Sequence, residues 1–384
     1  MNKKVVIVTG ELSGETHGAH LVSAICALSP LEFSGMGSKV LAAAGVRVIY
    51  DYRDISIIGI SEVFSKLSHI RRAFHVLKAH LVATAPQLLI LVDFPGFNLR
   101  VARMARRLGI PVVYFIPPQI WAWHRGRIRQ IKARVDLVLS ILPFEEPFYR
   151  QHGVPVFYVG HPYIQSVRPV HGREQFYAMC DVDAAAPVIT VMPGSRQSEA
   201  RRHMPVLLEV LKRFDRDLGR YTVLVPVADT LKADFFLPFL KDRKNVRLVE
   251  GLPHDCLAYS HAALVKSGSA TLEAAILGVP SVVFYKTSVL TYLAARLVLK
   301  VRHISLPNVI AGKEVFAEFI QSIDPERVAK TMVSMLNKDG PAVQKELEWI
   351  RQRLTASGPD PYQLAGKEIL RFLEHTYGPL PKTT

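Results

Sequence analysis

The sequence predicts an α/β protein built from two Rossmann-like halves, and three observations predict it. Apolar runs such as Lys4–Thr9 (KVVIVT), Leu88–Val92 (LLILV) and the VITVM that ends at Met192 are continuous, not alternating. That is how strands buried on both faces of a parallel sheet read. Such runs end in turns that open helices, so strand and helix alternate along both halves. The chain of 384 residues also fits two domains with full cores, at roughly 100–200 residues each. The expected divisions are residues 1–163, 164–357 and a last helical segment, 358–384.

A hydrophobic content of 49% with 21% charged residues describes a folded chain. The net charge of +15, from 48 Lys+Arg against 33 Asp+Glu, favours an acidic partner: nucleic acid, a phosphorylated substrate or an anionic membrane. Nucleic acid is disfavoured, because the charge is spread along the chain and no binding motif for it is present. Cys26, Cys180 and Cys256 are odd in number and far apart, which indicates neither a disulfide framework nor a zinc site and suits a reducing compartment. MNKKVVIVTG reads as a first strand rather than a signal peptide. No run reaches the ~18 apolar residues of a membrane span, so a soluble or peripheral protein is expected.

The first strand ends in GELSGETHGAH. Gly10, Gly14 and Gly18 lack the GxGxxG spacing, which argues against a nicotinamide cofactor. The turn puts Glu11, Ser13, Gly14, Glu15 and His17 at the strand's carboxyl end, where doubly wound sheets bind ligands; alternatively, Ser13 caps the helix and Glu15 complements its dipole. From Ser61 to Ala83, Val63, Leu67, Ile70, Phe74, Leu77 and Leu81 recur at helical spacing, with Lys66, Arg71, Arg72, His75 and Lys78 between them. This helix either packs on the sheet with a solvated basic face or meets anionic headgroups.

Asp93 follows the Leu88–Val92 strand, with Pro95 and Gly96 turning the chain and Asn98 starting a helix. A carboxylate there serves as a general base, orients one, or is an ordinary turn aspartate. The strand Val112–Ile116 leads to Trp121 and Trp123 beside a helix carrying Arg125, Arg127, Arg129, Lys132 and Arg134. Those tryptophans are either ligand platforms or packing anchors. Tyr163 to Pro187 reads as an irregular linker, and Asp181-Val-Asp183 within it as structural despite its likeness to a metal-binding DxD.

In the second half, Gly194, Ser195 and Arg196 make a turn suited to phosphate: small residues for backbone approach and a guanidinium for bidentate contact. Ser267 to Glu273 is a second such turn. Ser269, Ala270 and Thr271 open a helix whose N–H groups can hold phosphate, and Glu273 can accept from the hydroxyls of a ribose. The plain alternative has Ser269 as N-cap. Ligand turns in both halves suggest a site in a cleft between them. HISLPNVIAG presents Asn308 from a loop. SVLTYLAARLVLKV, broken by Arg296, is either a core helix or a membrane-facing surface. The chain is then helical from Glu314 until SGPDP precedes a last helix, Tyr362–Tyr377.

Taken together, GELSGETHGAH, DFPGFN, PPQIWAWH, LPFEEPFY, GHP, MPGSRQSE, SGSATLE and SLPNVIAG, in that order, resemble the lipid-A-disaccharide synthases, which are bacterial glycosyltransferases. The resemblance implies a GT-B fold, two Rossmann-like domains facing across a cleft, with the last helix crossing back onto an N-terminal domain of its own chain or of a partner, and an inverting reaction with no metal or other cofactor. UDP-2,3-diacylglucosamine would be the donor and 2,3-diacylglucosamine 1-phosphate the acceptor, giving the β-1,6 disaccharide 1-phosphate and UDP. Asp93 and Arg196 fall on the family's activity-linked positions, while Gly96 stands where many members carry a second acid. Asp93 would be the base, with His17 or Glu15 as second choice. Asn98, Gly194, Ser195, Ser269, Ala270, Thr271, Glu273 and Asn308 would line the substrate sites. The implied setting is the cytoplasmic face of a Gram-negative inner membrane, on anionic lipids, with a homodimer possible. The rivals are another GT-B enzyme of UDP-N-acetylglucosamine, either a peptidoglycan transferase or an epimerase, and a basic nucleic-acid-binding protein.

Overall fold

The computed structural model describes residues 3–380 except 56–62, 123–124, 241, 299–300 and 359. Two compact units divide the chain: Met1–Pro162 with Leu354–Thr384, and Tyr163–Arg353. Unit 1 holds a seven-stranded sheet of β1 (Lys4–Val8), β2 (Glu32–Gly37), β3 (Arg47–Asp51), β4 (Leu88–Val92), β5 (Val112–Phe115), β6 (Leu137–Ser140) and β7 (Val156–Tyr158). Its strand order is β3-β2-β1-β4-β5-β6-β7, with all pairs parallel. All of β4 is buried, the burial its unbroken apolar run requires. β1 and β2 approach so closely that a Cβ on Gly35 would lie 1.8 Å from the Ile7 carbonyl oxygen, so only glycine fits there.

Unit 2 repeats the plan with β8 (Val188–Met192), β9 (Thr222–Val227), β10 (Val246–Glu250), β11 (Ala262–Lys266), β12 (Ser281–Tyr285) and β13 (Ala317–Ile320). Their order is β10-β9-β8-β11-β12-β13, again parallel. In each sheet the order reverses once, between β1 and β4 and between β8 and β11. Helices on either side of such a reversal leave on opposite faces, which opens a crevice at the carboxyl ends of the two strands.

Several elements differ from the sequence reading. The helix after Asp93 starts at Pro95, with proline in its first turn, and not at Asn98. The basic helix spans Val63–Thr84; Ser61 lies outside the described residues. Ala73, Leu77 and Leu81 of that helix are buried, and Ile70 and Phe74 pack on the same core, while Arg71, Arg72, His75 and Lys78 are exposed. The expected linker is ordered by helices at Tyr163–Ser166 and Arg173–Met179 and by buried Asp255, which accepts from the Val170 and His171 N–H groups. Asp181 and Asp183 pair with Arg247 and Arg220. β13 interrupts the helical run expected from Glu314, because that segment pairs in parallel with β12; its Glu318 holds the turn at Ile304 and Ser305. The last helix, Pro361–Tyr377, buries Ala365, Ile369 and Leu373 among β1, β4 and β5 side chains of its own chain's unit 1.

Candidate functional site

In unit 2 the β8–β11 reversal opens into a cavity of about 370 Å³. Gly194 and Ser195 line it from the turn after β8, and Lys266, Ser269, Ala270 and Glu273 from the end of β11 and the helix that follows. Gly194 takes φ +116°, a region closed to side chains. The helix Ser269–Ile276 is capped by Gly268 with no side-chain hydrogen bond, not by Ser269 as expected. The Thr271 N–H turns back to the Gly268 carbonyl, so the Ser269 and Ala270 N–H groups and the positive dipole end face an anion in the cavity. Thr271 is buried and its hydroxyl donates to the Gly268 carbonyl (2.7 Å), so it shapes the turn instead of meeting a ligand.

Three residues that the sequence did not single out complete this site. Lys266 Nζ lies 3.2 Å from Glu199 Oε2, an ion pair without hydrogen-bond alignment. Glu199 Oε1 is 3.5 Å from Arg196 Nη1. One nearly buried carboxylate thus steadies two cations, and the Arg196 side chain is 79% exposed. His254 Nε2 lies 3.5 Å from Glu273 Oε2; the hydrogen bond to Glu273 raises the His254 pKa. Behind them, buried His203 accepts from the Lys286 N–H at Nε2 (3.1 Å), so Nδ1 carries the proton and donates to the Pro193 carbonyl (2.7 Å). It ties the turn after β8 to the end of β12. Lys266–Glu199, His254–Glu273 and His203–Lys286 join residues well apart in sequence, and no local spacing signals them.

In unit 1 the β1–β4 reversal presents Asp93. Asp93 and Phe94 both have φ +47°, a left-handed conformation uncommon for side-chain-bearing residues. Asn98 and Tyr114 hold it: Asn98 Nδ2 and the Tyr114 hydroxyl each donate to the Asp93 carbonyl at 2.7 Å. Asn98 Nδ2 also reaches the Val92 carbonyl (3.1 Å). Asn98 is fully buried, so its place is beneath the turn and not on a substrate. Gly10 is required here, because a Cβ on it would lie 2.0 Å from the Phe94 ring. Burial, and then the charge and hydrogen bond of Glu11, push the Asp93 carboxyl up to about 6.

The other residues of the first turn divide. Ser13 is exposed and does not cap its helix, whose N-cap is Glu11. Gly14 sits against Asp93, its Cβ direction 3.7 Å from Asp93 Cβ. Glu15 is wholly buried, accepting from the Ser38 N–H, the Ser38 hydroxyl (2.7 Å) and the Leu41 N–H (3.1 Å). It acts as the cap that the helix Lys39–Ala43 lacks from its own N-cap residue, and so cannot serve substrate. His17 Nδ1 is 2.8 Å from the Tyr362 hydroxyl; burial and then nearby His20 lower its pKa to about 4.

One further expectation is corrected, and an open alternative is decided for Trp121. Asn308 is buried in a short helix, Leu306–Ala311, and not shown by a loop. Its Oδ1 accepts from the Val315 and Phe316 N–H groups (2.8 Å each), and its Nδ2 donates to the Phe316 carbonyl and to Glu318. With every polar atom occupied, it anchors the approach to β13. Trp121 is a packing anchor, buried with Nε1 donating to Glu145 (3.1 Å); Trp123 lies outside the described residues.

The family model described as "Lipid-A-disaccharide synthetase" (LpxB) matches residues 5–365. The chain belongs to the lipid-A-disaccharide synthetase family. The lipid-A-disaccharide synthase of Syntrophus aciditrophicus is 41% identical over 365 residues, covering 93% of this chain and 95% of that one. Membership makes the chain a hexosyltransferase of lipid A biosynthesis, and neither an epimerase nor a nucleic-acid-binding protein is favoured. Among solved structures, the UDP-GlcNAc 2-epimerase of Neisseria meningitidis bound to UDP-GlcNAc superposes with a TM-score of 0.60 at 14% identity, covering 97% of this chain and all of that one. CalG4, the calicheamicin glycosyltransferase, gives 0.60 at 15% identity over 99% and 100%. These likenesses show that the synthetase-family chain has the GT-B fold; the fold alone assigns no chemistry.

Proposed function

We propose that this synthetase-family protein transfers 2,3-diacylglucosamine from UDP to O6 of 2,3-diacylglucosamine 1-phosphate with inversion. The acceptor oxygen attacks the anomeric carbon, the bond from that carbon to the UDP oxygen breaks, and the hydroxyl proton passes to Asp93. A carboxyl poised near 6 is ionised at neutral pH yet more basic than an ordinary aspartate, as a general base should be. Glu15 and His17, the second choices, are committed to Ser38 and Tyr362.

The observation that carries the reading is the unit 2 cavity, which combines a carboxylate, an uncapped helix start and a lysine. Glu273 accepts from the ribose hydroxyls with His254 behind it. The Ser269 and Ala270 N–H groups, Lys266 and Arg196 meet the diphosphate and stabilise the charge that grows on UDP as it leaves, with no metal called upon. The exposed Arg71, Arg72 and Lys78 would draw the protein to anionic inner-leaflet lipids. The test is incubation with UDP-2,3-diacylglucosamine and the sugar 1-phosphate, followed by mass spectrometry. A tetraacyl disaccharide monophosphate should form with UDP, and unacylated UDP-glucosamine should give none. No lipid product, or an epimerised UDP-sugar, overturns the reading.

A further inference from the structure

After β12 the chain forms the helix Val289–Val298, anchored at its start by the Thr291 N–H donating to Ser288 Oγ (3.2 Å). On this helix Val289 is 64%, Leu290 81% and Leu293 51% exposed. Helical geometry at about 100° per residue puts the three on a single arc roughly 100° wide. Arg296 borders the arc, exposed, with its guanidinium 5.9 Å from the Tyr292 ring. Water gains nothing from such a face, and contiguous exposed apolar surface marks a binding surface. The surrounding sequence gives the partner's charge. From Lys286 to Lys313 there is no Asp or Glu, while Lys286, Arg296, Lys300, Arg302 and Lys313 are cationic.

We propose that the Val289–Val298 helix docks unit 2 on an anionic lipid bilayer, with Val289, Leu290 and Leu293 at the acyl boundary and the flanking cations at the headgroups. No helix among the described residues is long and apolar enough to cross a membrane, so the contact is interfacial. A second copy of this chain is the competing occupant, but it also carries +15 and meets this acid-free segment with like charge. The basic helix Val63–Thr84 has a different part to play: its apolar residues from Ile70 to Leu81 pack on its own core, while Arg71, Arg72 and Lys78 stay exposed. The Val289–Val298 face supplies the apolar attachment that salt does not release. The inference goes beyond glycosyl transfer and stands or falls without it.

The experiment is co-sedimentation of the full-length protein with phosphatidylethanolamine–phosphatidylglycerol vesicles and with phosphatidylcholine vesicles. The double substitution Leu290→Ser, Leu293→Ser should weaken partition onto the anionic vesicles about tenfold or more and abolish the salt-resistant fraction. Thermal unfolding and turnover of detergent-dispersed substrates should be unchanged. In a separate variant, Leu290→Trp, the added indole should shift its emission to the blue on adding those vesicles. Unchanged partition of the double variant, an unshifted Trp variant, or equal binding to phosphatidylcholine overturns the proposal. So does a wild-type dimer that the double variant dissociates, which would make this face a protein interface.

Discussion

Glu11 and Asp93 meet beyond the carboxyl ends of β1 and β4, within reach of a hydrogen bond and repelled by like charge when both are ionised. Burial does most to make Asp93 basic, and the approach of Glu11 around Gly14 adds to it.

Asp93→Asn should lower turnover by about a thousandfold while UDP affinity, measured by calorimetry, stays as in the wild type. It should also change stability with pH in a defined sense. Folding raises this carboxyl from 3.8 to about 6, so the native state holds the proton more tightly than the unfolded chain. Ionising the buried group therefore costs stability as pH rises through that window, fully so above about 6. The asparagine variant should gain on the order of 2 kcal/mol at about pH 8 and nothing below about pH 4 in denaturant titrations.

Glu11→Gln removes the charge that helps hold Asp93 protonated. The acid limb of kcat/KM, expected near 6 in the wild type, should move to lower pH with some activity retained. An unmoved limb would separate Glu11 from the base.

Lys266→Ala and Arg196→Ala should each weaken UDP binding by about tenfold, the scale of a lost charge-assisted hydrogen bond. Because Glu199 holds both cations, their effects should fail to add in a double-mutant cycle, and calorimetry with the single and double variants checks this.

His254→Ala should leave Glu273 without its neighbour at 3.5 Å. The expected result is a smaller preference for UDP over 2′-deoxy-UDP, by about threefold to tenfold. Since the pair raises the histidine pKa, its contribution is present at low pH and fades as pH rises through that raised value. Competition binding at several pH values reads both effects.

Asn308→Ala strands the buried Val315 and Phe316 N–H groups. The protein should lose about 3 kcal/mol of unfolding free energy with UDP affinity unchanged below its melting range, as denaturant titration and calorimetry can measure. A selective loss of UDP binding would return Asn308 to the nucleotide site.

The strands, their parallel pairing and the turns at their carboxyl ends were legible because each depends on neighbours in sequence. An unbroken apolar run such as Leu88–Val92 can only be buried on both faces, and small residues at a strand's end permit close backbone approach. Asp93, Gly194 and Ser269 were found in this way. The fate of polar side chains was not legible. Glu15 looked like a ligand until Ser38, 23 residues away, consumed it, and Asn308 until β13 did. Lys266, His254 and His203 drew no notice because Glu199, Glu273 and Pro193 reach them only through the folded sheet. A side chain's periodicity is written locally, whereas its hydrogen-bond partner is set by which strands lie side by side; the sequence alone thus determined the framework and the turns, and only the tertiary structure decided which of their polar groups remain for chemistry.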